Sequence, residues 1–163
     1  RRVGVANQTT MMRGETEEVQ RRIMAAVRDR DGAEKSAQNF RFFDTICGAT
    51  QERQDALRDM LASPMDLLLV VGGYNSSNTS HLAEMGEAKL PTFFIRNAGR
   101  LESRERIVHF DLHQKAEVAT ENWLPPTPVT IGVTAGASCP NNLIEETILR
   151  VFGLHGIERE QLV

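Results

Sequence analysis

The segment Asp66-Leu67-Leu68-Leu69-Val70-Val71 constrains the fold of this chain more than any other. Five consecutive apolar residues without polar alternation describe a strand covered on both faces, as in a parallel sheet flanked by helices. The run meets Gly72-Gly73-Tyr74-Asn75-Ser76-Ser77-Asn78, and a helical period follows to about Lys89. Three other segments repeat this succession of extended apolar run, small hydroxyl-rich loop and helix. Val3–Ala6 leads through Asn7-Gln8-Thr9-Thr10 into a helix over about 15–28. Val19, Ile23, Ala26 and Val27 form its apolar stripe, and Glu15, Glu17 and Glu18 suit its positive start. Residues 40–46 lead through Cys47-Gly48-Ala49-Thr50 into a helix that Ser63-Pro64 stops, with Ala56, Leu57, Met60 and Leu61 facing inward. Residues 129–133 lead through Thr134-Ala135-Gly136-Ala137-Ser138-Cys139 to Pro140, well placed for a first helical turn, and to the stripe Leu143, Ile144, Ile148, Val151 and Phe152.

Residues 91–95 and 107–112 read as two further short strands, and 119–128, with Trp123 and three prolines, as an ordered crossover loop. Strands alternating with helices predict an α/β fold with mainly parallel sheets and flanking helices.

With 163 residues, 40% of them hydrophobic and 25% charged, the chain has room for one ordinary domain, or one domain and part of another. Lys and Arg number 19 against 22 Asp and Glu, a net charge of −3 that argues against a general nucleic-acid partner. No apolar run approaches the ~20 residues of a membrane helix, so no membrane partner is expected. The opening residues do not read as a signal peptide. Cys47 and Cys139 lie too far apart for a disulfide framework, which favours a reducing compartment. The chain opens Arg1-Arg2-Val3-Gly4-Val5-Ala6, without Met and already strand-like, so the expectation is a fragment.

In open parallel sheets ligands gather at the carboxyl ends of strands, beside helix N-termini. All four small-residue loops fall at that edge. Gln8, Thr9, Thr10, Cys47, Thr50, Asn75, Ser76, Ser77, Asn78, Thr134 and Ser138 supply neutral hydrogen-bonding groups with few charges, a setting for an anion such as phosphate. Simple helix capping explains most of these residues, but Asn75–Asn78 carries more donors than a cap consumes. Cys47 has three readings: a small packing residue, a nucleophile, or a metal ligand beside a helix start. Five residues separate Cys47 from Arg53, as in cysteine phosphatases, but Glu52 would place a carboxylate in the phosphate cradle, and Ile46 and Gln54 depart from that pattern. His81, His109, His113 and His155 have no ligand spacing and read as surface or packing residues. Arg96, Arg100, Arg104 and Arg106, interleaved with Glu102 and Glu105, read as a solvated face.

Four motifs in order, Asn7-Gln8-Thr9-Thr10, the stretch from Asp44 through Cys47-Gly48-Ala49-Thr50 to Gln54, Val70-Val71-Gly72-Gly73-Tyr74-Asn75-Ser76-Ser77-Asn78 and Gly132-Val133-Thr134-Ala135-Gly136-Ala137-Ser138, carry a resemblance. From about Val3 to Phe152 the chain resembles the carboxyl-terminal half of the LytB/IspH family, the 4-hydroxy-3-methylbut-2-enyl diphosphate reductases. The resemblance implies a three-lobed α/β fold around a 4Fe-4S cluster with one cysteine from each lobe. Residues 1–43 would end the second lobe, 44–152 form the third, and 153–163 make a polar tail. The implied reaction is the last step of the non-mevalonate isoprenoid pathway, in which two electrons and protons remove an allylic hydroxyl as water. It yields isopentenyl and dimethylallyl diphosphates.

By the same resemblance, Cys47 corresponds to the third cluster ligand, and Ser76, Ser77, Asn78 and Ser138 to the diphosphate-binding set. Thr9 corresponds to the catalytic threonine near the substrate's hydroxyl end, with Gln8 and Thr10 shaping the pocket. The implied partners are the allylic diphosphate, ferredoxin or flavodoxin as electron donor, and the amino-terminal part of the same enzyme. That part would carry the other two cluster cysteines, phosphate-contacting histidines and a glutamate proton donor. This chain alone is therefore expected to be inactive, and Cys139 to be a packing residue. The implied compartment is the bacterial cytoplasm, with the plastid stroma as alternative. A competing reading is a diphosphate-binding α/β remnant without a cluster; a cysteine-dependent phosphatase is a distant third.

Overall fold

The computed structural model describes residues 1–161, which fall into two compact units, residues 1–52 and the described residues from Arg53 onward. In the first, β1 (Val3–Ala6) and β2 (Phe40–Phe43) pair in parallel, Val3 opposite Phe40 and Ala6 opposite Phe43. Their crossover holds α1 (Arg13–Asp31) and α2 (Ala33–Asn39). Gly32, at φ +81°, breaks α1 from α2 in a conformation that favours glycine, and its N–H caps the Arg28 carbonyl at 2.8 Å. The α1 stripe is only partly covered, with Val27 buried but Val19 49% exposed. None of the seven residues of α2 is buried, so this helix has no apolar period to betray it in the sequence.

β2 ends at Phe43, earlier than the apolar pattern suggests, because the next side chains turn the backbone. The Asp44 carboxylate accepts the Ile46 N–H at 3.1 Å, and the Thr45 hydroxyl bonds both the N–H and the carbonyl of Asn7. A third helix, α3 (Gly48–Met60), begins directly after Cys47 and runs into the second unit.

The second unit is a five-stranded sheet with β3 (Leu67–Val71) inside, between β4 (Thr92–Ile95) and β7 (Ile131–Ala135), both parallel to it. A hairpin of β5 (Arg106–Asp111) and β6 (Ala116–Glu121) extends the β4 side antiparallel, giving the order β6-β5-β4-β3-β7. Three of the five strand pairings among the described residues are parallel, as an α/β fold of mainly parallel sheets requires.

Successive side chains of β3 point to opposite faces, and every one is buried. Leu67, Leu69 and Val71 enter a layer with Phe93, Ile95, Leu101, Trp123 and Val151. Leu68 and Val70 enter the other with Leu57, Leu82, Ala83 and Phe94. Two helices follow strands of this sheet, α4 (Ser77–Glu87) after β3 and α5 (Asn141–Leu154) after β7. Each fully buried Leu or Val contributes roughly 1.5–3 kcal/mol relative to exposure, so this five-residue strand is a large part of the reason the sheet forms.

The segment expected to be a crossover loop, 119–128, opens as a strand: Ala119–Glu121 close β6. The Asp111 carboxylate, accepting the N–H groups of His113 and Gln114 at 2.8 Å each, makes the hairpin turn. Along β6 the side chains at Val118 and Thr120 are half-buried, while Glu117, Ala119 and Glu121 face solvent. Beyond it Trp123 donates its indole N–H to the Ser103 carbonyl at 2.9 Å and anchors the connection. No helix among the described residues is long and apolar enough to cross a membrane.

Candidate functional site

The carboxyl ends of β3 and β7 carry two loops side by side. The register pairs Val71 with Ala135, and the Gly136 N–H then donates to the Val71 carbonyl at 3.1 Å. The β3 loop turns where the Ser76 N–H meets the Gly73 carbonyl at 3.0 Å. Ser76 becomes the N-cap of α4, its Oγ accepting the Thr79 N–H at 3.3 Å and the Thr79 hydroxyl at 2.9 Å. Capping uses only the acceptor side of Ser76, and its hydroxyl hydrogen is not consumed by it.

Ser77 and Asn78 lie in the first turn of α4, within the positive end of the helix dipole. Ser77 is exposed, whereas Asn78 is only 4% exposed. Neither the amide oxygen nor the amide nitrogen of Asn78 has a hydrogen-bond partner among the described residues. Leaving such a group buried and unpaired costs roughly 1–3 kcal/mol, and groups of this kind in native proteins call for a specific reason. On the β7 side, Ser138 is exposed in a turn closed by the Cys139 N–H on the Gly136 carbonyl at 2.9 Å, just before Pro140 at the start of α5. The structure thus brings Ser76, Ser77, Asn78 and Ser138 to one end of two adjacent strands.

Tyr74 locks the first of these loops from behind. Its ring stacks on Phe110 at 4.6 Å, meets Phe94 edge-on at 5.1 Å and carries the Arg96 guanidinium at 4.6 Å.

Thr9 and Cys47 meet within the first unit. The Cys47 N–H donates to the Thr9 carbonyl at 2.9 Å, and the Cys47 carbonyl accepts the Gln51 N–H at 3.0 Å, which sets Cys47 at the entrance to α3. Its thiol is exposed, as are Gln8 and Thr9, while Thr10 is half-buried. Among the described residues no three His, Cys, Asp or Glu side chains are grouped to hold a metal ion. An exposed thiol suits one corner of an iron–sulfur cluster, and the remaining thiolates would have to come from outside the described residues.

Several other residues find plain roles. Cys139 packs against the core, and burial pushes its thiol up from the ordinary value, with the Arg53 guanidinium opposing. His109 stacks edge-on against Phe93 and shares a 2.8 Å hydrogen bond with Thr120; burial pulls its pKa down. The phosphatase-like spacing fails because Gly48–Arg53 is helical from its first residue and makes no loop to wrap a phosphate. Arg106 pairs with Glu102 and Glu121 at 2.8 Å each and Arg100 with Glu117 at 2.8 Å, a solvated ion-pair face. An apolar cavity of about 600 Å³ between β7 and α5, lined by Val129, Ile131, Val133, Val151 and Phe152, offers little to a charged ligand. Thr79 carries no mark of its own in the sequence; its position three residues after a capping serine is the signal available.

A model of the LytB protein family matches residues 1–152. The chain belongs to the LytB family. The 4-hydroxy-3-methylbut-2-enyl diphosphate reductase of Gloeobacter violaceus is 52% identical to this LytB chain over 157 residues, 96% of this chain and 38% of the relative. That of Thermosynechococcus vestitus is 46% identical over 157 residues, 96% of this chain and 39% of the relative. This LytB chain therefore spans under two-fifths of the length of these relatives. Two solved structures share the fold. A reductase of the same substrate name superposes with a TM-score of 0.52 at 24% identity, covering 93% of this chain and 44% of its own. The E-1-hydroxy-2-methyl-but-2-enyl-4-diphosphate reductase from Plasmodium falciparum superposes at 0.60 and 20% identity, covering 90% of this chain and 38% of its own.

Proposed function

We propose that this chain is the diphosphate-holding part of a 4-hydroxy-3-methylbut-2-enyl diphosphate reductase and contributes one cysteine, Cys47, to its 4Fe-4S cluster. The observation that carries the reading is the Asn78 amide, buried and unpartnered in the first turn of α4 beside the capping Ser76. Hydroxyls of Ser76, Ser77 and Ser138, the Asn78 amide and the N–H groups opening α4 would hold the diphosphate. Uncharged donors suit a diphosphate because they bind the anion without offering a proton to the wrong oxygen. Thr9 would bond the allylic hydroxyl end, with Gln8 and Thr10 limiting water around it.

When bound, the cluster would supply two electrons and a Lewis-acidic iron for the departing oxygen. Two protons complete the balance, and the products are water with isopentenyl or dimethylallyl diphosphate. The further partners of this reading are ferredoxin or flavodoxin as electron donor and an amino-terminal portion that completes the cluster. The compartment it implies is a bacterial cytoplasm, or alternatively a plastid stroma. The 52% identity to a reductase of that name supports the reductase reading.

Ser76, Ser77, Asn78 and Ser138 would serve equally in a second reading, a diphosphate-binding remnant without a cluster, because holding the anion needs no iron. Calorimetric titration with inorganic pyrophosphate tests what both readings share: saturable binding is expected, at least tenfold weaker in Asn78→Ala, and a chain that takes up no pyrophosphate ends both. Anaerobic reconstitution with iron and sulfide then separates them. Broad visible absorption lost in Cys47→Ser, obtained with the amino-terminal part of the Gloeobacter violaceus reductase co-expressed, is expected for the reductase; colourless protein under those conditions leaves the remnant.

A further inference from the structure

We propose that Thr79 is a positioning residue that aims the Ser76 hydroxyl hydrogen at an anionic ligand; this rests on the diphosphate reading above. A serine hydroxyl has one hydrogen to give and two lone pairs to fill. Ser76 Oγ accepts the Thr79 backbone N–H at 3.3 Å and lies 2.9 Å from the Thr79 hydroxyl. Thr79 is 1% exposed, and its hydroxyl meets no other acceptor among the described residues and so gives its hydrogen to the half-buried Ser76. Among the described residues, the Ser76 hydroxyl hydrogen meets no acceptor. Ser76 is thereby turned into a donor only. It suits an ionised phosphate oxygen, and it has nothing to offer an ammonium, an amide N–H or a protonated phosphate hydroxyl. An ordinary N-cap, with just its N–H bond, would leave a second lone pair open and the hydroxyl free to rotate.

The surroundings of Thr79 are built for this. The residue is 1% exposed, and its side chain fills the corner where the two loops meet. A Cβ on Gly72 would stand 2.9 Å from Thr79 Oγ1, and one on Gly136 would collide with the same atom. Glycine at both positions lets the β3 and β7 loops close onto one hydroxyl. Thr79 therefore orients Ser76 directly and braces the turn that presents Ser138.

Shape and hydrogen bonding are separable here. Thr79→Val keeps the volume and loses the hydroxyl, and Thr79→Ser keeps the hydroxyl and loses the methyl. Binding of inorganic pyrophosphate to the 163-residue chain, with circular dichroism to confirm folding, reads the outcome. The expectation is a dissociation constant about three- to tenfold higher for Thr79→Val, as the loss of one oriented hydrogen bond implies, and near-parental binding for Thr79→Ser. In a Ser76→Ala background, Thr79→Val should add nothing, because it acts through Ser76. The opposite ranking, with Thr79→Ser the weaker binder, would show packing alone and overturn the inference. If Thr79→Val does not fold, Thr79→Ala takes its place, with rescue by Thr79→Ser expected and equal binding of the two counting against. A parental chain that ignores pyrophosphate sinks the diphosphate reading and this inference together; parental binding with an indifferent Thr79→Val sinks only the inference.

Discussion

The N–H of Gly136 donates to the carbonyl of Val71 at 3.1 Å, and this one bond continues the β3–β7 ladder past its last paired residues into the two hydroxyl-bearing loops. The loops are consequently extensions of the sheet and inherit its rigidity. Ligand groups carried on extensions of regular structure hold their geometry better than groups on free loops.

A methyl group at Gly136 tests how tight that junction is. Gly136→Ala places a Cβ against the Thr79 hydroxyl, and overpacking of this kind costs about 1–3 kcal/mol. Thermal unfolding should show a lower midpoint, with pyrophosphate affinity reduced as well. Gly73→Ala, where no atom lies within 4 Å of the added carbon, serves as the control and should leave the midpoint nearly unchanged.

Asn78 should show a trade between stability and binding. Asn78→Leu replaces an unpaired buried amide with an apolar group of similar size, so denaturant unfolding should find the variant as stable as the parent or up to about 1–2 kcal/mol more so. Pyrophosphate binding should fall in the same variant. A large loss of stability would mean that the amide is satisfied in the folded chain.

The two thiols should differ in reactivity. Cys47 is exposed, whereas Cys139 is partly buried with its thiol pushed up by that burial. Under limiting iodoacetamide near neutral pH, peptide mass spectrometry should find Cys47 modified well before Cys139. Equal rates would contradict this placement.

His109 gives the second unit a pH dependence of predictable sign. Burial holds its pKa below the unfolded value of about 6.5, so the unfolded chain binds a proton there more readily. The stability associated with neutral His109 is present above the unfolded value and declines as pH falls through the window down to the folded pKa. Urea unfolding at about pH 8 and about pH 5 should show the decline, and His109→Gln should flatten it. An unchanged slope in the variant would assign the dependence to other groups.

Much of this architecture is legible in the chain itself. The unbroken run Leu67–Val71 announces an interior strand, and the apolar stripe from Leu143 to Phe152 announces α5. The helical stretch Ala33–Asn39 leaves no trace, because a helix that buries none of its residues has no reason to keep a period. The β6 strand is masked by the prolines and Trp123 that follow it, since its alternation covers only half-buried positions on an edge. Cys139 is recognisable as a packing residue. The hydroxyl and amide groups that the loops with Ser76 and Ser138 carry are legible from their residue types.

Sequence by itself determined the α/β class, the strand-loop-helix units and the kinds of side chain available at their junctions, since periodicity and turn chemistry are local properties. Tertiary structure alone decided that β3 and β7 are neighbours, that Thr79 fills the corner between their loops, and that the Asn78 amide is buried without a partner. Strand order and the occupation of a hydroxyl's lone pairs depend on residues far apart in the chain, and no local pattern encodes which of them will meet.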